Sequence, residues 1–327
     1  MSVVAPPAPE IGPGRARKSL GAWGDRVFSA VALAAGLLVL IVLALIAYAV
    51  ISKAWPAFKH QGPSFVTSDN WDPNTEHFGA LAFIYGTLLT SFIAIIIAVP
   101  LSLGIALFIT EIAGKKMRTL VTYIVDLLAA IPSVVYGFWA LAVFTQPVKS
   151  LYQHIADTLG SVPGLARVFG GPVSGASFMT AGIILAIMIT PIITSLSREV
   201  LLTVSQDDKN AALAMGATRW EMLGATVFPR SRSGLVGAVM LGLGRAMGET
   251  IAVALVIGAN PQITAHIFQT GDTMASTIAH NFPEYIDIQR SALIGLGAVL
   301  FGITIIINVL ARIIVKRTNR SLGEIVA

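Results

Sequence analysis

Arg245 and Glu249 stand four residues apart in a Gly-rich apolar stretch, Ser233 to Gly258, that holds no other ionisable side chain. Arginine suits anion chemistry in such surroundings, because its guanidinium offers a planar fork of donors to oxyanions and is not neutralised by proton loss. A charge at the centre of a bilayer costs about 2.5–3.5 kcal/mol on insertion scales, so it turns toward protein or a water-filled path. Read as one helix, the stretch puts Arg245 some twelve residues in, ~18 Å along the axis. Glu249, at i+4, then shares its face. Two readings follow: an intrahelical ion pair that neutralises itself, or a translocation site in which Arg245 takes an anion and Glu249 regulates it. Asp126 is a weaker candidate. It is expected about one turn into its own apolar span, with a hydrogen-bonding role inside the bundle.

The elements that must hold these residues are membrane spans. Of the 327 residues 55% are hydrophobic and 12% charged, which is too apolar for a soluble protein of this length. Apolar runs are expected at Val27 to Ile51, Ala80 to Thr110, Leu120 to Phe144, Phe178 to Leu196, Ser233 to Gly258 and Ser291 to Val315. They predict an all-α polytopic membrane protein with six transmembrane helices. Pro132 and Gly137 in the third permit a bend that neighbouring helices must satisfy. With both termini on one side, sixteen Lys and Arg fall on that side and five on the other, Arg245 being left within a span. The positive-inside rule therefore places the termini and the loop after Ser205 in the cytoplasm of a multi-pass inner (plasma) membrane protein. The same rule explains the formal charge of +5 without nucleic acid, and leaves membrane lipid as the surrounding partner. Residues 1–23 read as a disordered basic cytoplasmic tail, 24–317 as the permease domain, and 318–327 as a cytoplasmic C-terminal tail.

Between Arg198 and Arg232 the character changes. Ser205 with Asp208 makes a capping-box pattern, and Asp207 and Asp208 suit a helix N-terminus. A short helix is expected from about Lys209 to Met215, with Gly216 permitting a left-handed stop and a second helix beginning near Thr218, before Pro229. Gly244 and Gly248 form a small-xxx-small pair suited to close helix packing.

The run NAALAMGATRWEMLGATVFP resembles the loop by which permease subunits of ABC importers dock on their ATPases. The matching elements are Ala211, Ala212, Gly216 and the Thr226-Val227-Phe228-Pro229 close; Asn210 stands where the family usually has Glu, and Thr226 where it usually has an aliphatic residue. IPSVVYGFWAL (Ile131 to Leu141) and GLGRAMGETIAVALVIGAN (Gly242 to Asn260) are similar to the phosphate-specific importer, PstC-type rather than PstA-type. The resemblance implies a type I ABC importer permease fold and an ATPase-coupling loop, residues 203–229, with Asn210, Ala211, Ala212, Gly216, Ala217, Thr218 and Pro229 as its coupling residues. It implies Arg245 and Glu249 as translocation residues. In a phosphate importer Glu249 would hold Arg245 between cycles and accept a hydrogen bond from the P–OH that phosphate has and sulfate lacks. It further implies a second, PstA-type permease, two PstB-type ATPase subunits and an external PstS-type phosphate-binding protein, for which the outer loops Lys53 to Gly79 and Asn260 to Gln289 are the expected contacts. A sister importer for molybdate, sulfate or another small solute would share the coupling loop. That loop argues against a stand-alone channel or secondary carrier.

No G-x-x-x-x-G-K-[ST] occurs, so no nucleotide loop is expected on this chain, and ATP and Mg would be bound by the partner ATPases. The five histidines, His60, His77, His154, His266 and His280, fall in the outward loops with no H-x-x-x-H pair, and cysteine is absent. Neither a metal site nor a catalytic nucleophile is expected.

Overall fold

The computed structural model describes the backbone of residues 21–326 and the side chains of residues 24–313. The expected tail therefore lies, over residues 1–20, outside the described residues. The chain divides into two units, Met1–Ala49 and Val50–Ala327. The described part of the first unit belongs to helix α1 (Gly21–Gln61), an apolar run with Phe28, Leu33 and Leu40 exposed as lipid requires.

In the second unit, α2 (Ser64–Thr67) leads to a small antiparallel hairpin of β1 (Trp71–Asp72) and β2 (His77–Phe78), with Trp71 opposite Phe78. Helix α3 (Leu81–Leu107) follows and runs on through a π turn, Phe108–Ile112. Next come α4 (Lys115–Ala130), α5 (Ser133–Trp139), a second π turn at Ala140–Phe144, α6 (Thr145–Leu159), α7 (Ala166–Phe169) and α8 (Phe178–Leu202). The loop region holds α9 (Gln206–Ala214) and α10 (Arg219–Met222). A third π turn, Leu223–Val227, leads into α11 (Phe228–Gly248), and the chain ends with α12 (Ile251–Val256), α13 (Met274–Asn281) and α14 (Asp287–Val326). The α14 backbone continues as helix through the segment read as a C-terminal tail.

Among the described residues four helices are long and apolar enough to cross a membrane: α1, α3 with its π turn, α8 and α14. The pair α4 and α5–α6 has the length and composition of a fifth crossing if taken as one span, and is bent by 88° where Ile131 and Pro132 interrupt the helix, so the bend expected at Pro132 is present. The expected fifth span is not one helix. It is split between α11 and α12, and the continuous reading of Ser233 to Gly258 is corrected accordingly.

Lipid gives helices no hydrophobic reason to associate, so close packing has to come from small residues. The most extensive helix pair is α3 with α8, followed by α11 with α8. Gly182 lets Ile93 of α3 sit against α8, and a Cβ there would lie 2.4 Å from Ile93. On α11, Gly234 receives Val200 and Gly242 receives Ile193 and Ile189. The buried core between these helices holds Ala94, Tyr136, Ile184, Ile189, Ile193, Ala246 and Val253. Several of the buried hydroxyls on these helices are satisfied locally: Thr87, Thr90 and Thr190 donate to the carbonyls four residues back, and Ser102 reaches across to the Thr190 carbonyl at 3.1 Å, whereas Ser91, Thr194 and Ser197 find no partner among the described residues.

At the N-terminal end of α3 the backbone of Asp272 lies on Gly86. A Cβ at position 86 would fall 1.9 Å from the Asp272 carbonyl oxygen, backbone against backbone, where no side-chain rotation brings relief. Gly86→Ala is expected to cost about 1–3 kcal/mol as an overpacked contact. Its melting temperature in detergent should fall, whereas Gly104→Ala on the same helix, with nothing within 4 Å, should match or exceed the wild type.

Candidate translocation and coupling site

Helix α8 supplies a depth gauge. Gly242 meets Ile193 and Ile189 near the middle of Phe178–Leu202, so Arg245, under one turn further along α11, lies near mid-membrane. Its side chain is exposed, on the face that leaves Leu241 and Gly248 exposed, while Ala246 and Met247 turn into the core. Gly237, Gly244 and Gly248 have nothing within 4 Å of where a Cβ would be. Within the chain Gly234 and Gly242 hold α11 against α8, and the other three leave a smooth open face around Arg245, where Gly244 and Gly248 meet no other described helix of this chain.

Glu249 does not share a helix face with Arg245. Helix α11 stops at Gly248, and Glu249 is its C-cap with extended backbone, φ −69° and ψ 129°. Among the described residues no ion pair joins the two side chains, so the self-neutralising intrahelical pair is overturned. The Glu249 carboxylate instead accepts a hydrogen bond from the Ala252 backbone N–H at 3.4 Å, within the first turn of α12. A helix start leaves unpaired N–H groups and a partial positive charge. An acid at the break answers both, and periodicity reasoning has no means of seeing it.

Asp126 is also placed differently. It is the twelfth residue of α4 and is exposed with no hydrogen bond or ion pair among the described residues, so the expected hydrogen-bonding role is not met within the chain. The contact between α4 and the lower part of α8 is made one turn earlier, where Arg198 donates to the Thr122 hydroxyl at 3.3 Å.

The loop after α8 folds as two short helices. Ser205 caps α9 by accepting from the Asp207 N–H at 3.2 Å, while Asp208 pairs with Arg230 on α11 instead of completing a capping box. The helix is shifted from its expected bounds to Gln206–Ala214 because the cap binds one residue earlier. The capping box is found at the next start, where Thr218 and Glu221 exchange bonds and the Thr218 N–H and hydroxyl hold the Glu221 carboxyl below its usual range. Gly216 has φ +90°, the left-handed conformation expected of it. Pro229 sits in the first turn of α11. It has no N–H to offer and its ring crowds the carbonyl four residues back, which accounts for the wide π turn that joins α10 to α11.

These residues divide by orientation. Ala212 and Ala217 pack with Ala106, Leu201, Met222, Leu223 and Val227 in a separate small core, while Asn210, Ala211 and Pro229 are exposed. Leu213, Met215 and Trp220, which pattern reading passed over, are exposed beside them, Met215 at 85% and Trp220 at 74%.

The most consequential missed residue is Lys209. It is 5% exposed, and its Nζ donates to Glu111 Oε1 at 2.6 Å. Glu111 belongs to the π turn that ends the α3 span, 98 residues away in sequence. Helix α9 is therefore tied twice: to α3 through a buried pair, and through Asp208 to Arg230 at the base of α11, which carries Arg245. Nothing in the sequence marks Glu111, since a single acid after an apolar run looks like an ordinary helix end.

Residues 98–320 match the family of binding-protein-dependent transport system inner membrane components, a range that takes in α9 and the whole of α11. The chain is 43% identical over 301 residues to the phosphate transport system permease protein PstC of Mesorhizobium japonicum, covering 91% of this chain and 92% of that one. It is 41% identical over 303 residues to PstC of Haemophilus influenzae, with 92% and 96% covered. The chain belongs to the PstC family of permeases. Its fold is also similar to that of a chain in the crystal structure of a bacterial alginate ABC transporter in complex with an alginate pentasaccharide-bound periplasmic protein. That likeness has a TM-score of 0.59 and 18% identity, covers 91% of this chain and 98% of the other, and marks the fold as that of a type I ABC importer permease.

In this PstC-family chain, Lys209→Met strands Glu111 without a partner. Breaking a buried pair from one side costs about 3–5 kcal/mol. Thermal unfolding in detergent should show a large loss for Lys209→Met, with much of it recovered in Lys209→Met/Glu111→Gln; a double-mutant cycle with no coupling would contradict the pair.

Proposed function

We propose that the chain is the permease subunit of an ATP-driven importer of inorganic phosphate, and that Arg245 carries the anion past the middle of the membrane. The observation that carries this reading is the setting of Arg245: an arginine at mid-membrane depth, exposed on a glycine-smoothed face and free of any carboxylate among the described residues. A guanidinium in that position requires a polar neighbour in place of lipid. A second, PstA-type permease packed on the same face would supply the far wall of a water-filled path, and phosphate would meet the guanidinium there through paired hydrogen bonds. Glu249 acts as a positioning residue. By capping α12 it fixes the break that leaves Arg245 on the last turn of α11. Asp126, also exposed on a span, is proposed as a secondary group on such a path. The names of the curated relatives support phosphate over another oxyanion.

Coupling follows from the wiring of α9. With both termini cytoplasmic, two PstB-type ATPase subunits would bind ATP and Mg and dock one on each permease, here on the exposed Asn210, Ala211, Met215 and Trp220. Movement of α9 would reach α3 through Lys209–Glu111 and α11 through Asp208–Arg230. A PstS-type binding protein would deliver phosphate to the opposite face. The chain itself contributes binding, orientation and exclusion of lipid, and no bond is made or broken on it.

The test is phosphate uptake by the assembled transporter in proteoliposomes. Arg245→Lys keeps the charge and loses the fork; loss of a charge-assisted hydrogen bond worth about 1.5–3 kcal/mol corresponds to a fall in uptake of about 10–100-fold. ATPase co-purification should be unaffected. Glu249→Ala should lower uptake more than Glu249→Gln, because the amide oxygen still caps α12. Wild-type uptake in Arg245→Lys and Arg245→Ala together would sink the assignment.

A further inference from the structure

We propose that a cavity between the β1–β2 hairpin and α13 is a socket for a basic side chain, lysine or arginine, presented by an extracytoplasmic partner protein. The cavity is about 340 Å³, and its wall includes Trp71, Phe83, Tyr285, Asp272, Thr277 and His280. That volume falls within the ~300–1,000 Å³ of small-ligand sites.

The chemistry points to a cation. Asp272 is only 4% exposed; its Oδ1 accepts from the Thr273 N–H at 2.8 Å and from the Ser276 hydroxyl, and His280 on α13 faces the same carboxyl. Burial pushes this carboxyl above its usual range. A carboxylate held so far from water calls for a positive partner; His280 supplies part of that attraction, and no lysine or arginine lines the cavity. Thr277, 1% exposed, faces the same carboxyl without closing a hydrogen bond of good geometry, and the buried Nε1–H of Trp71 also lacks a partner. Aromatic faces beside a carboxylate suit an ammonium or guanidinium. The charges close in sequence to the lining residues agree with this. Asp72 lies on the hairpin beside Trp71, Glu284 on the turn after α13 beside Tyr285 and Asp287 at the start of α14, while Arg290 is occupied over the Phe282 ring at 5.4 Å.

A protein side chain fits better than a free amine. Trp71 Nε1–H needs an acceptor, which an amine does not offer and a peptide carbonyl beside the basic residue does. The socket is also already built. Gln289 Nε2 donates to the Pro73 carbonyl at 3.1 Å, joining hairpin to helix turn, and the Met274 N–H donates to Thr87 Oγ1 at 3.1 Å, joining α13 to α3. The cavity thus lies where the two outer loops expected to receive a binding protein meet, and only the identity of that partner rests on the importer reading.

The experiment has two arms. In the first, N-acetyl-arginine methylamide is titrated onto the full-length chain in nanodiscs, following the part of the tryptophan emission that Trp71→Phe removes. The expected result is a saturable change in wild type, none in Asp272→Asn, and none with the neutral citrulline analogue; no saturable change in wild type overturns the socket whatever the chain transports. In the second, capture of the external phosphate-binding protein by the assembled transporter is measured. Asp272→Asn should weaken it about tenfold, and the arginine probe should compete in wild type while the citrulline probe does not. Should Asp272→Asn fail to fold, that competition decides alone. Undiminished capture overturns the partner assigned, whereas loss of phosphate uptake with capture and competition intact counts against Arg245 and the importer reading, not against the socket.

Discussion

Lipid solvates neither a backbone amide nor a charge, and the architecture of this permease depends on how it meets that condition. A span broken in hydrocarbon leaves unpaired N–H and C=O groups, so breaks survive only where protein supplies partners. Two occur here, at Ile131–Pro132 and at Glu249–Thr250, and they are covered by each other's helices: α12 packs on α5, with Gly137 close enough to Ala252 and Leu255 that a Cβ would collide with both. The same condition fixes the outlook of Arg245. With Ala246 and Met247 committed to the core, the guanidinium points to the open glycine face, and that face must become polar when the protein works.

Small residues set the distances on which this depends. Gly182, Gly234 and Gly242 bring α3, α8 and α11 together closely enough for isoleucine and valine side chains to replace lipid. Packing of this kind has few intermediate arrangements, so displacement at one end of α11 is carried along its length. The buried Lys209–Glu111 pair is the complementary device at the other end. It adds little stability compared with an apolar pair, since desolvation offsets most of the attraction, but it specifies one register between α9 and the end of α3. The Asp208–Arg230 pair is half exposed and correspondingly weak on its own. Its importance is positional, because it ties α9 to the helix that carries Arg245.

Much of this was legible from residue types. Apolar runs marked the long helices, and Gly216, Pro132 and Pro229 each did what backbone stereochemistry requires of them. The spacing of Ala211, Ala212 and Gly216 was enough to suggest a coupling helix. Reading failed where the relevant neighbour was distant in sequence. A helical period extrapolated through Gly248 put Glu249 beside Arg245, whereas the chain turns there and the carboxylate serves the next helix. Asp126, expected to hydrogen-bond inside the bundle, is exposed because α8 meets α4 one turn earlier, at Thr122.

The sequence by itself determined that the protein is a helical membrane permease with one arginine deep in an apolar stretch and one polar loop of short helices, since these follow from composition and local stereochemistry. The tertiary structure alone decided that Glu249 caps a broken helix, that Lys209 is buried on Glu111, and that Asp272 lies at the base of an aromatic cavity. The reason is physical. The cost of burying a charge or breaking a helix in lipid is local, whereas the group that offsets it is chosen by packing between segments far apart in the chain.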